Sequence, residues 1–242
     1  MPACDSQMTT NYLATMKILA LDTCTEMCSV ALLNQNQLFE QAIMTQRGHS
    51  ERVLGMLDEL LQKAGVGLKD IDVLAFGRGP GSFTGVRVGV GVAQGIAFAR
   101  QLPVVPVSTL AAVAQRAIDE LGATHIAVAL DARMGEIYAA HYRDENGLAV
   151  LCDQEQVCPP EQFQPLDDNK WFAAGTGWQE HAEALKAAFA DRLSGEDATL
   201  LPTAAAMSKL AYSLAEQGQT ISAEQAVPVY LRDNVAKKKG EQ

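Results

Sequence analysis

The 242-residue sequence has no apolar stretch suited to crossing a membrane, because its longest hydrophobic region is interrupted by glycines and by Arg87, Gln94 and Arg100. It shows no secretory leader either. Met1 to Thr15 is polar, places no Arg or Lys ahead of an apolar core and contains no hydrophobic run. These absences predict a cytoplasmic protein with no membrane partner, and residues 1–15 are read as a disordered extension outside the fold. Cationic charge is scarce: 19 Lys and Arg stand against 29 Asp and Glu, a formal net charge of -10. That balance opposes long-range attraction to nucleic acid, so an RNA substrate would have to be held by something else.

Metal and redox signatures are missing as well. Five cysteines, Cys4, Cys24, Cys28, Cys152 and Cys158, make an odd set with no C-x-x-C pair, which argues against a disulfide framework and a zinc site. The four histidines, His49, His125, His141 and His181, form neither H-E-x-x-H nor H-x-x-x-H. Ser82, Thr84 and Cys24 have no recognisable base and orienting carboxylate nearby in sequence.

The chain does have ample core material, with 48% hydrophobic residues. Ile18–Leu21 reads as a strand closed by Asp22 and Thr23, Ser29–Leu33 as a second, and Leu38–Met44 as a third. A helix follows, with Ser50 as its cap, Val53, Leu57, Leu60, Leu61 and Ala64 on one face, and Gly65 as its stop. Ile71–Phe76 is a buried strand that runs into Gly77-Arg78-Gly79-Pro80-Gly81-Ser82-Phe83-Thr84-Gly85.

The valines beyond this loop alternate as in a strand, yet Gly85, Gly89, Ala93 and Ala97 recur every fourth residue, as do Gly91, Gly95 and Ala99. A helix with small-residue stripes fits this register. Its glycines cost about 1 kcal/mol each in propensity, a price compatible with close approach of another backbone. Val104–Val107 is the next strand, and Ser108 caps a helix that Gly122 stops. Ile126–Asp131 and Glu136–Ala140 then repeat the strand, acidic turn and strand of the opening, which implies a duplicated architecture. Farther on, 152–169 reads as irregular, Trp171–Ala174 as a strand, Gln179–Ala190 and Thr203–Glu216 as helices, and Pro228–Arg232 as a short ordered element.

Asp22 and Asp131 fit two roles, closing a turn through the local backbone or positioning magnesium for phosphoryl transfer. The glycine-rich loop lacks the Lys of a P-loop, and Pro80 removes an amide that a phosphate cradle would use. It serves as a tight structural turn, a partner contact or an anion site at a helix start. The Asp131, Arg133 and Glu136 cluster reads as a local ion pair that a partner or ligand could reuse.

Several of these segments together resemble the bacterial TsaB (YeaZ) family of tRNA threonylcarbamoyladenosine biosynthesis proteins. The resemblance rests on Leu19–Thr23 with Cys28–Ala31, on Gly77–Arg87, and on Val107–Leu110. In the second half it continues through Asp131–Tyr138, Gly175–Trp178 and Pro228–Arg232, spanning Met16 to Lys239.

It implies an α/β protein of the two-domain actin, Hsp70 and sugar-kinase (ASKHA) fold with duplicated ribonuclease-H-like halves. The expected division is 16–108 for the first domain and partner surface, 109–235 for the second, and 236–242 for a tail, with the last helix packing back on the first domain. The implied role is noncatalytic. The chain would support transfer of a threonylcarbamoyl group to N6 of adenosine 37 in tRNAs reading codons that begin with adenine. The transferase TsaD would be its direct partner, TsaE would join a ternary assembly, and tRNA would be reached through the complex.

The metal-binding histidine pair of TsaD-like enzymes is missing from this sequence. No cofactor of its own is therefore expected, while the assembled system uses ATP, magnesium and threonylcarbamoyl-adenylate. The implied partner surface is a bundle of first-domain helices, with Gly85, Arg87, Gly89 and Ala93 as candidate contacts; the same face suits a homodimer. The competing reading is a small-molecule or protein kinase of the same fold, motivated by Asp22, Asp131 and the loop.

Overall fold

The computed structural model describes residues 16–35, 37–45 and 48–232, so the extension over 1–15 and the tail over 236–242 lie outside the described residues. Two sheets carry the fold. The first contains β1 (Ile18–Asp22), β2 (Met27–Asn34), β3 (Gln37–Met44), β4 (Val73–Gly77) and β5 (Val104–Val107) in the order β3-β2-β1-β4-β5. β1 is buried along its whole length because both faces are covered, which is why it reads as an unbroken apolar run. Leu19 and Leu21 join one core layer, while Ile18 and Ala20 join the layer on the opposite side.

The second sheet contains β6 (His125–Asp131), β7 (Ile137–Glu145), β8 (Leu148–Leu151), β10 (Trp171–Ala174) and β11 (Leu193–Asp197) in the order β11-β10-β6-β7-β8; β9 (Gln156–Cys158) pairs with β7 off this path. The pairing senses repeat between the sheets. β1 is antiparallel to β2 and parallel to β4, as β6 is antiparallel to β7 and parallel to β10. The outer pairs β4 with β5 and β10 with β11 are parallel in both.

Six α-helices are described: α1 (His49–Ala64), α2 (Phe83–Arg100), α3 (Thr109–Leu121), α4 (Gly177–Glu180), α5 (Ala182–Phe189) and α6 (Ala204–Glu216). α1 and α2 cover one face of the first sheet. α1 does so through Val53, Met56, Leu57, Leu60 and Leu61. Its N-terminus corrects the expected cap: Gly48, at φ 85°, precedes the helix without a side-chain bond, and Ser50 lies inside the first turn. By contrast, Ser108 Oγ accepts from the amides of Leu110 and Ala111 at 3.1 and 3.3 Å, and Gly122 ends α3 at φ 66°.

Two later helices serve different sheets. α3 supplies Leu110, Val113 and Ala117 to the core against β6 and β7, whereas α6 places Ala204, Met207 and Ala211 beneath β1 and β4 of the first sheet. α6 begins with Thr203 Oγ1 accepting from Ala206 N, and Ala204 N donates to Ser29 Oγ at 2.8 Å, anchoring the helix to β2. The expected single helix over 179–190 is two, broken at His181 (φ −121°). Trp178 holds α4 on the second sheet by donating its indole N–H to Ala127 O at 2.9 Å. Phe163, Trp171, Trp178 and Phe189 fill that side of the sheet.

Candidate functional site

Two regions bring the singled-out residues together: the cleft between the sheets and the outward face of α1 and α2. At the cleft floor, Gly77 ends β4 so closely against β1 that an added Cβ would lie 2.1 Å from Asp22 Oδ1. Gly81 is equally confined, with a Cβ position 2.2 Å from Cys24 O. The loop between them is tied to its own chain. Arg78 N donates to Val107 O, Ser82 N donates to Cys24 O, and Gly79 O accepts from Thr109 N. These bonds make the loop a tight turn that seats α2, and Pro80 contributes no amide to it.

Asp22 is fully buried beneath this loop. Its Oδ1 accepts from Cys24 N at 3.2 Å, and its Oδ2 has no partner. Burial raises its pKa to about 6, against 3.8 for an ordinary Asp, outweighing the hydrogen bonds that favour the charged form. Cys24 beside it is pushed well above the usual thiol range by burial and by the Asp22 charge. Cys28 Sγ lies 3.9 Å from Met56 Sδ, so both thiols belong to the core.

Asp131 also closes a turn. Its Oδ1 accepts from Arg133 N at 2.9 Å and its other oxygen pairs with the Arg133 guanidinium at 2.8 Å. The two aspartates thus satisfy the turn reading. Neither has the open carboxylate that a magnesium nucleotide would require, which removes the main support for a kinase.

The cleft has a volume of about 940 Å³ and is bordered by both aspartate turns, the glycine-rich loop and Val229–Arg232. Arg78 reaches across to Glu155 at 2.9 Å, and Tyr142 OH donates to the same carboxylate at 3.1 Å. Arg232 donates to Ala132 O and Arg133 O at 3.2 and 3.3 Å and pairs with Glu136. The expected Asp131, Arg133 and Glu136 cluster is therefore completed by a cation from the end of the described chain. In sequence Arg232 is one residue of the Pro228–Arg232 motif, and no local pattern points to its destination 96 residues back. The histidines are dispersed: His49 bonds Thr25 O at 2.9 Å, His141 bonds Asp153 at 2.9 Å, and His181 lies 3.6 Å from Asp131. Among the described residues, no group of three or more His, Cys, Asp or Glu is placed to hold a metal ion.

On α2, the candidate contact residues divide. A Cβ on Gly85 would meet Thr23 O at 2.1 Å, and one on Gly89 would meet Thr23 Oγ1 at 2.7 Å; Ala93 and Ala97 are fully buried. This stripe packs on β1 and its turn, so Gly85, Gly89 and Ala93 are not available to a partner. The reason is helical phase, because the inward stripe lets α2 lie close to the sheet. Arg87 is exposed, its guanidinium 3.3 Å over the Phe83 ring. The second stripe faces solvent. An added Cβ on Gly91 or Gly95, or on Gly55 of α1, would meet nothing within 4 Å. Around these glycines lie the exposed side chains of Leu54 and Phe98, and Leu54 and Ile96 line one shallow groove between the helices.

Residues 37–240 match the family described as TsaD: tRNA N6-adenosine threonylcarbamoyltransferase. Within that breadth, the chain is 46% identical over 229 residues to the tRNA threonylcarbamoyladenosine biosynthesis protein TsaB of Escherichia coli strain K12, covering 93% of this chain and 98% of the relative. The chain belongs to the TsaB family. TsaB of Haemophilus influenzae is 43% identical, with 93% and 97% covered. A solved YeaZ structure from Pseudomonas aeruginosa superposes with a TM-score of 0.82 at 45% identity, covering 90% of this chain and all of that one. A second P. aeruginosa structure, described as an uncharacterized protein with similarity to peptidase YEAZ, gives 0.86 at 46%. The TsaB fold thus accounts for the two mixed, helix-flanked sheets. The glycine-rich signature expected for the family is the loop that buries Asp22.

Proposed function

We propose that the chain is a noncatalytic accessory subunit for threonylcarbamoylation of N6 of adenosine 37 in tRNA, acting in the cytoplasm with a TsaD transferase and with TsaE. The observation carrying the docking part of this reading is the pair Gly91 and Gly95 on the outer face of α2. Each costs the helix about 1 kcal/mol in propensity. Among the described residues, none is packed so that either must lack a Cβ. Their value lies in letting another helix approach closely, and Leu54, Phe98 and the groove at Ile96 supply apolar area beside them. Arg87 stands at the polar edge of this face. A second copy of the chain would use the same surface and so compete with TsaD.

The two domains are related halves of ribonuclease-H-like type, 16–108 and 109–235. The repeated strand order and pairing senses support this division, with α3 packed on the second sheet and α6 reaching back to the first. TsaD brings the transferase site, and threonylcarbamoyl-adenylate, ATP and magnesium serve the assembled system.

The test is omission. A reaction containing TsaD, TsaE, tRNA, threonylcarbamoyl-adenylate, ATP and magnesium is expected to lose at least about tenfold in modified adenosine when this chain is left out, equivalent to about 1.4 kcal/mol of barrier. Undiminished modification would reject the accessory role.

A further inference from the structure

The segment after α6 follows the edge of the first domain and then crosses the cleft. Ala226 is fully buried in the first-domain core, and its carbonyl accepts from Gln94 Nε2 at 2.7 Å. Val229 N donates to Arg78 O at 2.8 Å, and Val229 O would lie only 3.0 Å from a Cβ on Gly79. Gly79, at φ 97°, therefore lets the segment lie against the loop. Tyr230 stacks on Phe83 at 6.3 Å between ring centroids, and its ring lies 4.9 Å from the Arg87 guanidinium that also covers Phe83.

Two residues later the chain reaches the other domain. Arg232 binds the carbonyls of Ala132 and Arg133, pairs with Glu136, and lies 3.8 Å from Met134 Sδ. That turn holds Arg133 at φ 62°, Met134 at φ 60° and Gly135 at φ 77°. Two successive non-glycine residues in the left-handed region are disfavoured and persist only where surrounding contacts impose them. Asp131 imposes the turn from inside and Arg232 from outside. Met134 consequently projects 81% exposed at the cleft mouth.

We propose that Ala226–Arg232 is a two-ended clasp that sets the opening of the cleft, with Tyr230 anchoring it at the start of α2 and Arg232 holding the strained turn. The two ends are coupled through only the short stretch between them. A ligand or partner that takes Arg87 or Phe83 away from Tyr230 thereby releases Arg133 and Met134 in the other domain. Tyr230 and Arg232 are positioning residues in this device. It stands whether or not α1 and α2 are the docking surface, because both anchors belong to the free chain.

Hydrogen exchange on the full chain tests it, since the amides of Ala132, Arg133 and Glu136 are bonded within the turn. Tyr230→Ala, altered at the far anchor, is expected to raise exchange across 131–136 by about tenfold while the amides of β6 keep their protection. Tyr230→Phe retains the ring and should match the original chain. Arg232→Ala should produce the same release, because the bonds to Ala132 O, Arg133 O and Glu136 all come from its Nη2. Unchanged exchange at 131–136 in Tyr230→Ala would overturn the proposal. So would a rise spread evenly through β6 and β1, which would mark general destabilisation. If Arg232→Ala fails to fold, the Tyr230 pair still decides between these outcomes.

Discussion

Asp22 shows how a residue that looks chemical in sequence becomes structural once its surroundings are known. Its raised pKa means that the fold prefers the protonated acid. The penalty for ionisation is fully present above pH 6 and is relieved as pH falls from 6 toward 4. A displacement from 3.8 to about 6 corresponds to roughly 3 kcal/mol at neutral pH. Asp22→Asn keeps an acceptor for Cys24 N and removes the charge, but leaves a buried amide unpaired at a cost of about 1–2 kcal/mol. The variant should therefore gain about 1–2 kcal/mol at pH 7.5, seen as a thermal midpoint raised by about 4 °C. At pH 4 the penalty on the original chain is largely relieved while the amide cost remains, so the variant should then be less stable than the original chain by about 1 kcal/mol, and thermal melts at the two pH values check this change of sign. The sequence placed Asp22 correctly at the end of a strand. Its burial depends on Gly77 and Gly81, more than fifty residues away, so no local pattern carried that information.

Elements with self-contained signals were the most legible. β1 reads as a continuous apolar run, and α3 carries both its Ser108 cap and its Gly122 stop. β11 was missed because Leu193–Asp197 has only one apolar side chain and owes its strand state to pairing with β10. β8 and β9 are short strands leaning on β7, and the break at His181 has no proline or glycine to announce it. The phase of α2 was hidden for another reason: both small-residue stripes repeat every fourth residue, and only the neighbouring strand shows which one is inward.

Between elements, Arg78 and Glu155 link the glycine-rich loop after β4 to the segment between β8 and β9, with Glu155 8% exposed and Arg78 28%. Arg78→Ala leaves that carboxylate nearly buried with only Tyr142 as a partner, and should destabilise by about 2 kcal/mol in urea unfolding. Adding Glu155→Gln should recover about half of the loss, because the stranded charge is gone. Additive losses would show that the two side chains act independently.

At the scale of the whole molecule, α3 packs on the second mixed sheet and α6 returns from beyond that sheet to pack on the first. The cleft between the sheets is occupied at its edges by the chain's own loop and clasp. Of the two aspartates a kinase would need, Asp22 is buried beneath that loop and Asp131 is paired with Arg133 in its own turn, while Gly91 and Gly95 are displayed on α2 with no described neighbour that an added Cβ would meet. This contrast favours a subunit that works by docking. The most direct measurement is the dissociation constant for TsaD of the Gly91→Leu and Gly95→Leu variants, set beside Gly89→Leu and the original chain. Gly89→Leu should fail to give folded monomer, because its side chain would enter the space of Thr23. The two outward variants should fold with a thermal midpoint raised by a few degrees, because each removes a helix glycine that costs about 1 kcal/mol, and should bind TsaD at least about 100-fold more weakly, about 2.7 kcal/mol. Unaltered affinity in folded Gly91→Leu and Gly95→Leu would contradict docking through this face.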